Sequence, residues 1–181
     1  LDHMHAAPVL VEYFQSIREE MGDIVLVSPD VGNVKMANAY ASYLNGELAI
    51  IDKRRKSGSE VVSANIIGSV EGKTAVMVDD MISTAGTMCE AARLVREHGA
   101  RDVVAACTHP VLVGLAMERL AEAPISRVAV TDTIPAGPRC EPIQDKLVEL
   151  SVAELLGEAM HRIHHNESVS MLFSRRDSGK R

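Results

Sequence analysis

Short apolar runs alternate with longer amphipathic segments along most of the chain. The short runs are nearly continuous in Val, Ile, Leu and Ala, which is typical of parallel strands buried on both faces. They predict six strands, at Ile24–Ser28, Leu48–Asp52, Thr74–Asp79, Val103–Thr108, Val128–Asp132 and Leu147–Ser151. The amphipathic segments predict five helices, at Val9–Met21, Val34–Leu44, Thr87–His98, Val113–Ala121 and Val152–Asn166. This alternation predicts an α/β fold with an open parallel sheet and helices on both faces.

Two helix ends carry local signals. Gly99 follows His98 and can take the left-handed conformation that ends a helix. Ser151 is placed to be an N-cap, with Glu154 three residues later to complete a capping box.

Two loops are prominent: 53–59, with the sequence KRRKSGS, and 133–141, with the sequence TIPAGPRCE. Neither resembles an interdomain linker, so the sequence predicts one domain.

Composition narrows the classes of function. The 181 residues suffice for one domain with its own core. The net charge of −6, with no Trp and only 3% aromatic residues, argues against a nucleic-acid partner, because such partners are held by cations and aromatic stacking. No apolar run is long enough for a membrane span. Three widely spaced cysteines indicate a reducing compartment, so we expect a cytoplasmic location.

Acidic residues follow most of the predicted strands. In a parallel α/β sheet, ligands bind beyond the carboxyl ends of the strands. Asp30 follows the first strand, and Asp52 with four consecutive cations ends the second. Asp79 and Asp80 end the third strand. Carboxylates, cations and glycines at one edge of a sheet are the groups that a metal-chelated polyphosphate requires.

The segment from Val78 to Thr87 carries the sharpest signal. After the acid pair, Asp79 and Asp80, comes a small-residue loop of Ser83, Thr84, Ala85, Gly86 and Thr87 that opens a helix. Backbone N–H groups at such a helix start bind phosphate. The carboxylates suit the hydroxyls of a sugar or a Mg²⁺ shell. The alternative is an ordinary turn whose helix is capped by Thr84 or Thr87.

The string VDDMISTAGT also resembles the phosphoribosyl-diphosphate motif of type I phosphoribosyltransferase folds. The strings VSPDVGNVKMANAYASYL, AIIDKRR, THPVL and HNESVSMLF resemble the ribose-phosphate diphosphokinase family. The resemblance covers residues 2 to 173 and corresponds to the C-terminal portion of that enzyme. It implies a phosphoribosyltransferase-like domain over 1–173 and a polar tail over 174–181. The family's N-terminal domain, of the same fold, has no counterpart here.

The resemblance implies transfer of diphosphate from MgATP to C1 of ribose 5-phosphate, a step of nucleotide biosynthesis. It implies that the small-residue loop holds the sugar phosphate, that Asp79 contacts the ribose, and that Asp80 lies in the same site. It places a diphosphate loop at Asp30, Val31, Gly32 and Asn33, with Asp30 as a magnesium ligand. It also places Lys53 and Arg55 on a mobile catalytic arm, where two cations offset charge on the phosphates.

Two positions depart from the family pattern. Ser83 stands where Asp is frequent, which removes one carboxylate but leaves the backbone of the loop. Asn33 replaces a second glycine in the Asp30 loop, which we define as residues 30–33. Because Asn tolerates positive φ better than most residues, we expect that loop to keep its shape.

Other functions remain open on the sequence. One is a phosphoribosyltransferase that joins phosphoribosyl diphosphate to a base, and another is a regulatory homologue without turnover. The resemblance also implies a homo-oligomer built from dimers, with hexamers in the family, and we expect this chain alone to have little activity. His161 and His165 have a metal-binding spacing, but no third ligand is evident. Cys107 and His109 could form a nucleophile and base, but Cys107 ends an apolar strand, so we expect it to be a core residue.

Overall fold

The computed structural model describes residues 4–56 and 60–173, with side chains described for 4–52 and 65–173. Its strands are β1 (Ile24–Ser28), β2 (Glu47–Lys56), β3 (Glu60–Ile67), β4 (Thr74–Met81), β5 (Asp102–His109), β6 (Arg127–Thr131) and β7 (Leu147–Leu150). Its helices are α1 (Ala7–Ser16), α2 (Arg18–Met21), α3 (Val34–Leu44), α4 (Gly86–Glu97), α5 (Ala116–Glu122) and α6 (Ala153–His164). Three short 3-10 helices lie at Val31–Asn33, Pro138–Ile143 and Val169–Leu172.

The strands form one sheet in the order β3-β2-β1-β4-β5-β6-β7. Every neighbouring pair is parallel except β2 and β3, which are antiparallel. The parallel α/β prediction is therefore confirmed for six of the seven strands, and each of the six predicted strands is present. Most of these strands have continuous apolar runs, as burial on both faces demands. The exception is β7, which contains the exposed Glu149.

The β2–β3 hairpin was not predicted. The sequence placed residues 53–59 in a loop, but residues 53–56 continue β2 and pair with β3. The prediction of a loop over those four residues is wrong, because a hairpin at the edge of a sheet needs no continuous apolar run to form its hydrogen bonds. Residues 57–59 and the predicted tail at 174–181 lie outside the described residues.

Two apolar clusters cover the two faces of the sheet. Successive residues of β1 alternate between them: Val25 packs with the cluster that holds α4 and α5, and Leu26 with the cluster that holds α1 and α3. Phe14 of α1 and Val95 of α4 are fully buried, one on each side. Helices therefore lie on both faces of the sheet, as predicted.

Helix boundaries differ from the predictions where tertiary contacts decide them. The predicted first helix is divided at Ile17 into α1 and α2. The N-cap of α6 is Val152, not Ser151. Asp132 accepts hydrogen bonds from the Ser151 hydroxyl (2.7 Å) and the Val152 amide (2.9 Å), and the Ser151 hydroxyl accepts one from the Ala153 amide (3.2 Å). Ser151 thus binds the start of α6 as predicted, but its partner is Asp132 and not Glu154. The stop at Gly99 is confirmed, with φ of 86°.

Candidate active site at the sheet switch point

The strand order reverses between β1 and β4. From β1 the chain proceeds to β2 and β3 on one side, and it returns to β4 on the other side before continuing to β7. Open α/β sheets bind ligands in the crevice outside the carboxyl ends at such a switch point. The Asp30 loop follows β1, and the acid pair lies at the end of β4. The fold thus brings two of the predicted site segments to neighbouring strand ends.

The acid pair carries unfavourable electrostatics. Asp79 is half-buried and Asp80 is exposed. Burial raises the pKa of Asp79 to about 6; the Asp80 backbone hydrogen bond opposes this rise, while Asp80 and Asp30 add to it by repulsion. The Asp80 amide donates to Asp79 Oδ1 at 2.9 Å. A carboxylate held in this way gains by meeting donors, such as sugar hydroxyls, or a cation.

The Asp30 loop is a short 3-10 turn fastened to β4. Asp30 accepts a hydrogen bond from the Asn33 amide at 2.9 Å. The Asn33 side-chain amide donates to the carbonyl of Val78, also at 2.9 Å. Asn33 has φ of −93°, so its tolerance for positive φ is not used, and our sequence-based reason for accepting Asn here is wrong. Asn33 instead bridges two strand ends, a contact that glycine cannot make. Val31 is exposed and Gly32 lies beside the Asp30 carboxylate.

The small-residue loop leads directly into α4. Ala85 is the N-cap residue, in the left-handed conformation with φ of 59°, and α4 begins at Gly86. No side chain in the described part of the chain caps this helix. The alternative of an ordinary turn capped by Thr84 or Thr87 is therefore wrong. The first N–H groups of α4 lack side-chain partners, which is the arrangement that binds anions at helix starts.

The connection from β5 to α5 supports the small-residue loop. The Leu112 amide donates to the Ile82 carbonyl (2.9 Å) and the Val113 amide to the Ser83 carbonyl (3.0 Å). Arg119 of α5 donates through Nη1 to the Thr84 carbonyl at 2.8 Å. Sequence reasoning missed all three supports. Positive φ at Leu112 (48°) lets the connection turn back, and this also delays the start of α5 from the predicted Val113 to Ala116.

The predicted catalytic cations, Lys53 and Arg55, are described by the structure only through their backbone. The backbone of Lys53 pairs with Ala64 and that of Arg55 with Val61, and the register shifts between Arg54 and Arg55. Their side chains lie outside the described residues. Their catalytic role therefore stays a prediction.

The weaker candidates are resolved by their surroundings. Cys107 is fully buried, and burial raises its pKa to about 12, so its thiol is not a nucleophile at neutral pH. His109 contacts Thr133 Oγ1 through Nδ1 at 2.9 Å. The rings of His161 and His165 stack with centroids 4.2 Å apart. Among the described residues, no group of three or more His, Cys, Asp or Glu side chains could hold a metal ion by itself.

Magnesium fits the donor chemistry of the switch point. Mg²⁺ prefers oxygen ligands and is commonly bound by one or two carboxylates together with substrate phosphates. Asp30, Asp79 and Asp80 offer carboxylate oxygens. Burial raises the pKa of Asp79, repulsion from Asp80 and Asp30 adds to that rise, and a cation would relieve the repulsion. Such a site needs no preformed cluster of three protein ligands.

Comparison with known proteins agrees with this geometry. A family model described as the phosphoribosyl synthetase-associated domain matches residues 59–174. The chain belongs to the ribose-phosphate pyrophosphokinase family. Within this family it is similar to the ribose-phosphate pyrophosphokinase of Rhodopirellula baltica, with 54% identity over 97% of this chain and 55% of that protein. The protein of the same name from Gloeobacter violaceus is 49% identical over 96% of this chain and 51% of its own length.

Solved structures place the family's fold beside that of phosphoribosyltransferases. The phosphoribosylpyrophosphate synthetase of Mycobacterium smegmatis superimposes with a TM-score of 0.82 at 39% identity, over 91% of this chain and 52% of that one. An adenine phosphoribosyltransferase from Saccharomyces cerevisiae, at 19% identity, has a TM-score of 0.52 over 65% of this chain and 73% of that one, and it supports the fold alone. The predicted phosphoribosyltransferase-like fold is confirmed. The chain spans about half the length of the curated relatives it matches.

One further property concerns membranes. In residues 4–56 and 60–173, the helices are all too short or too polar to cross a bilayer.

Proposed function

We propose that this chain provides the ribose 5-phosphate site of a ribose-phosphate diphosphokinase. One observation carries the proposal: the acid pair, with Asp79 half-buried and Asp80 exposed, is followed at the end of β4 by a helix start without a side-chain cap, beside the sheet's switch point. A sugar phosphate presents hydroxyl donors at one end and an anion at the other. The two halves of the site complement these two ends.

The small-residue loop is proposed to bind the 5-phosphate. Its backbone N–H groups, with the positive end of the α4 dipole, supply positive potential without adding a charged side chain. Ser83 and Thr87 add hydroxyl donors, and Gly86 allows the anion to approach the backbone. Asp79 is proposed to accept hydrogen bonds from the ribose hydroxyls, with Asp80 beside it on the solvent side.

The proposed reaction is attack of the C1 hydroxyl on the β-phosphorus of ATP. A bond forms between the C1 oxygen and that phosphorus, the bond from the phosphorus to the oxygen bridging it to the α-phosphorus breaks, AMP leaves, and the hydroxyl proton is lost. The Asp30 loop is proposed to hold the diphosphate. Lys53 and Arg55 are proposed to offset charge spreading over its oxygens. Bound Mg²⁺, with Asp30 among its ligands, would neutralise the phosphate charge.

The domain boundaries, cellular location and oligomeric state are also proposals. We propose that residues 1–173 are a C-terminal domain followed by a polar tail, and that the protein acts in the cytoplasm as a homo-oligomer. The first rests on the resemblance of the strings quoted above to the family's C-terminal portion. The curated relatives are about twice as long as this chain, which agrees with its being one part of such a protein. ATP and ribose 5-phosphate are proposed as substrates because these relatives are ribose-phosphate pyrophosphokinases.

The test is AMP release from MgATP with ribose 5-phosphate, using the protein expressed with whatever natural sequence adjoins this chain. Lys53→Ala is expected to lower kcat about 10³-fold, the scale seen when a transition-state cation is removed in phosphoryl transfer. Lys56→Ala, from the same basic run, is the control and should stay near wild type. Wild-type activity in Lys53→Ala would remove its assigned role. Product formed from phosphoribosyl diphosphate and a free base, without ATP, would favour a phosphoribosyltransferase instead.

A further inference from the structure

Arg119 lies behind the small-residue loop, 35 residues farther along the chain. It belongs to α5 and is half-buried. Its Nη1 donates to the Thr84 carbonyl at 2.8 Å. The same nitrogen lies 3.4 Å from the point where a Cβ on Gly86 would be. The guanidinium therefore packs against the turn that begins α4.

The bond to Thr84 fixes the direction of the next amide. In a trans peptide the carbonyl oxygen and the following N–H point in opposite directions within one plane. By holding the Thr84 carbonyl on the α5 side, Arg119 directs the Ala85 N–H away from α5. This N–H belongs to the turn whose amides we assign to the phosphate.

Ala85 needs such support because its conformation is unfavourable. The left-handed region is disfavoured for a residue with a Cβ, because the Cβ comes too close to the following carbonyl oxygen. Such residues persist where surrounding contacts over-determine them, and they are concentrated at ligand sites. Here the carbonyls of Ile82, Ser83 and Thr84 are all bound from the segment between Leu112 and Arg119. Two of the donors are backbone amides, and the third is the Arg119 side chain.

The positive charge of Arg119 does not favour the stability of α4 when no anion is bound. Cations are unfavourable near the N-terminus of a helix, because the dipole is positive there. Arg119 nevertheless lies at the start of the 12-residue helix α4. A bound anion would convert this cost into a gain, which connects Arg119 with occupancy of the loop.

We propose that Arg119 is a positioning residue for the sugar-phosphate site: it holds the Thr84–Ala85 peptide in the orientation that receives the phosphate. This inference rests on the proposed function for its ligand, and its effect on the loop can be measured without a ligand. Arg119 itself acts through the Thr84 carbonyl rather than on the reacting atoms.

The first experiment compares Arg119→Ala with Arg96→Ala. Arg96 is a matched control, because it also donates to backbone carbonyls, those of Ala100 and Arg101, at the far end of α4. By calorimetry, Arg119→Ala is expected to raise the Kd for ribose 5-phosphate at least about tenfold, since small misplacements in a binding site are costly. Arg96→Ala should lower the melting temperature without changing that Kd. Equal Kd values for the two variants would overturn the proposal.

Two further variants separate positioning from general stability. Arg119→Lys keeps the charge and one donor and should recover part of the affinity. Ala85→Gly removes the penalty for positive φ, so Arg119→Ala should cost less affinity in the Ala85→Gly background than in the wild type. An undiminished cost in that background, or no recovery by lysine, would count against the assigned role.

Hydrogen exchange of the ligand-free chain keeps the inference separate from the proposed function. Arg119→Ala should speed exchange in a peptide covering Ser83–Thr87, whereas Arg96→Ala should not. If the wild type binds no ribose 5-phosphate, the proposed function fails, and the exchange result alone decides the role of Arg119. Unchanged exchange in the loop would overturn it, and faster exchange confined to the loop would support it.

Discussion

The amino ends and the carboxyl ends of the strands, which we call the amino edge and the carboxyl edge of the sheet, differ in how their polar groups are bonded. At the amino edge, Thr74 is fully buried; its hydroxyl donates to the Met21 carbonyl at 2.8 Å and accepts from Arg101 at 2.9 Å. At the carboxyl edge, Asp79 is surrounded by other acids, and Ala85 holds a left-handed backbone. The hydroxyl at the amino edge is thus satisfied within the protein, whereas the acid pair and the uncapped start of α4 at the carboxyl edge are the groups that we propose a ligand satisfies. Sites that bind ligands commonly retain such local costs, which the rest of the fold offsets.

The largest expected effect tests the carboxyl edge. Asp79→Asn keeps the size of the side chain but removes the charge that would accept from sugar hydroxyls. Because hydrogen bonds to charged groups contribute roughly 1.5–3 kcal/mol, affinity for ribose 5-phosphate should fall about 10- to 100-fold. Calorimetry measures the change. Asp23→Asn, an exposed acid at the amino edge, is the control, and an equal loss there would erase the contrast between the edges.

The next effect tests the amino edge. Thr74→Val replaces the buried hydroxyl with a methyl group of similar shape and leaves Arg101 without one acceptor. The free energy of unfolding should fall by about 1–2 kcal/mol, measured by urea denaturation, with the affinity for ribose 5-phosphate unchanged. Thr74→Ser keeps the hydroxyl and should lose less stability. Reduced affinity in Thr74→Val would show that the two edges are coupled.

The smallest expected effect concerns Asp132, an acid of the carboxyl edge whose side chain is already hydrogen-bonded within the protein. Hydrogen bonds from Ser151 and Val152 hold the pKa of Asp132 below its ordinary value of 3.8. A lowered pKa stabilises the fold above pH 3.8, and this contribution disappears as the pH falls through the lowered value. Asp132→Ala should therefore lower the melting temperature by a few degrees at pH 7, with the difference shrinking below about pH 4.

Asp132→Asn tests the origin of that effect. The asparagine oxygen can still accept from the Val152 amide, so this variant should keep part of the stability at pH 7 and lose the pH dependence. A difference between wild type and Asp132→Ala that is constant down to pH 2 would show that the charge of Asp132 does not cap α6.

The sequence predicted the features that local pattern determines. Continuous apolar runs such as the one in β1 identify strands buried on both faces, and the acid pair before Ser83–Thr87 indicates a candidate site without knowledge of distant contacts. The hairpin strand β3 was missed because its hydrogen bonds, rather than its side-chain pattern, define it. The bond from Arg119 to Thr84, the bonds that Asp132 accepts and the Asn33 bridge were missed because the partners lie 19 to 45 residues away in the chain.

The supports behind the small-residue loop have a consequence for engineering. Ile82 and Ser83 are bonded to residues of the connection that runs from His109 to Val113, so the two segments behave as one unit. Deleting a residue from that connection would therefore change the turn before α4. A designer who grafts this proposed sugar-phosphate site into another sheet would have to transplant both segments, together with the first turns of α5.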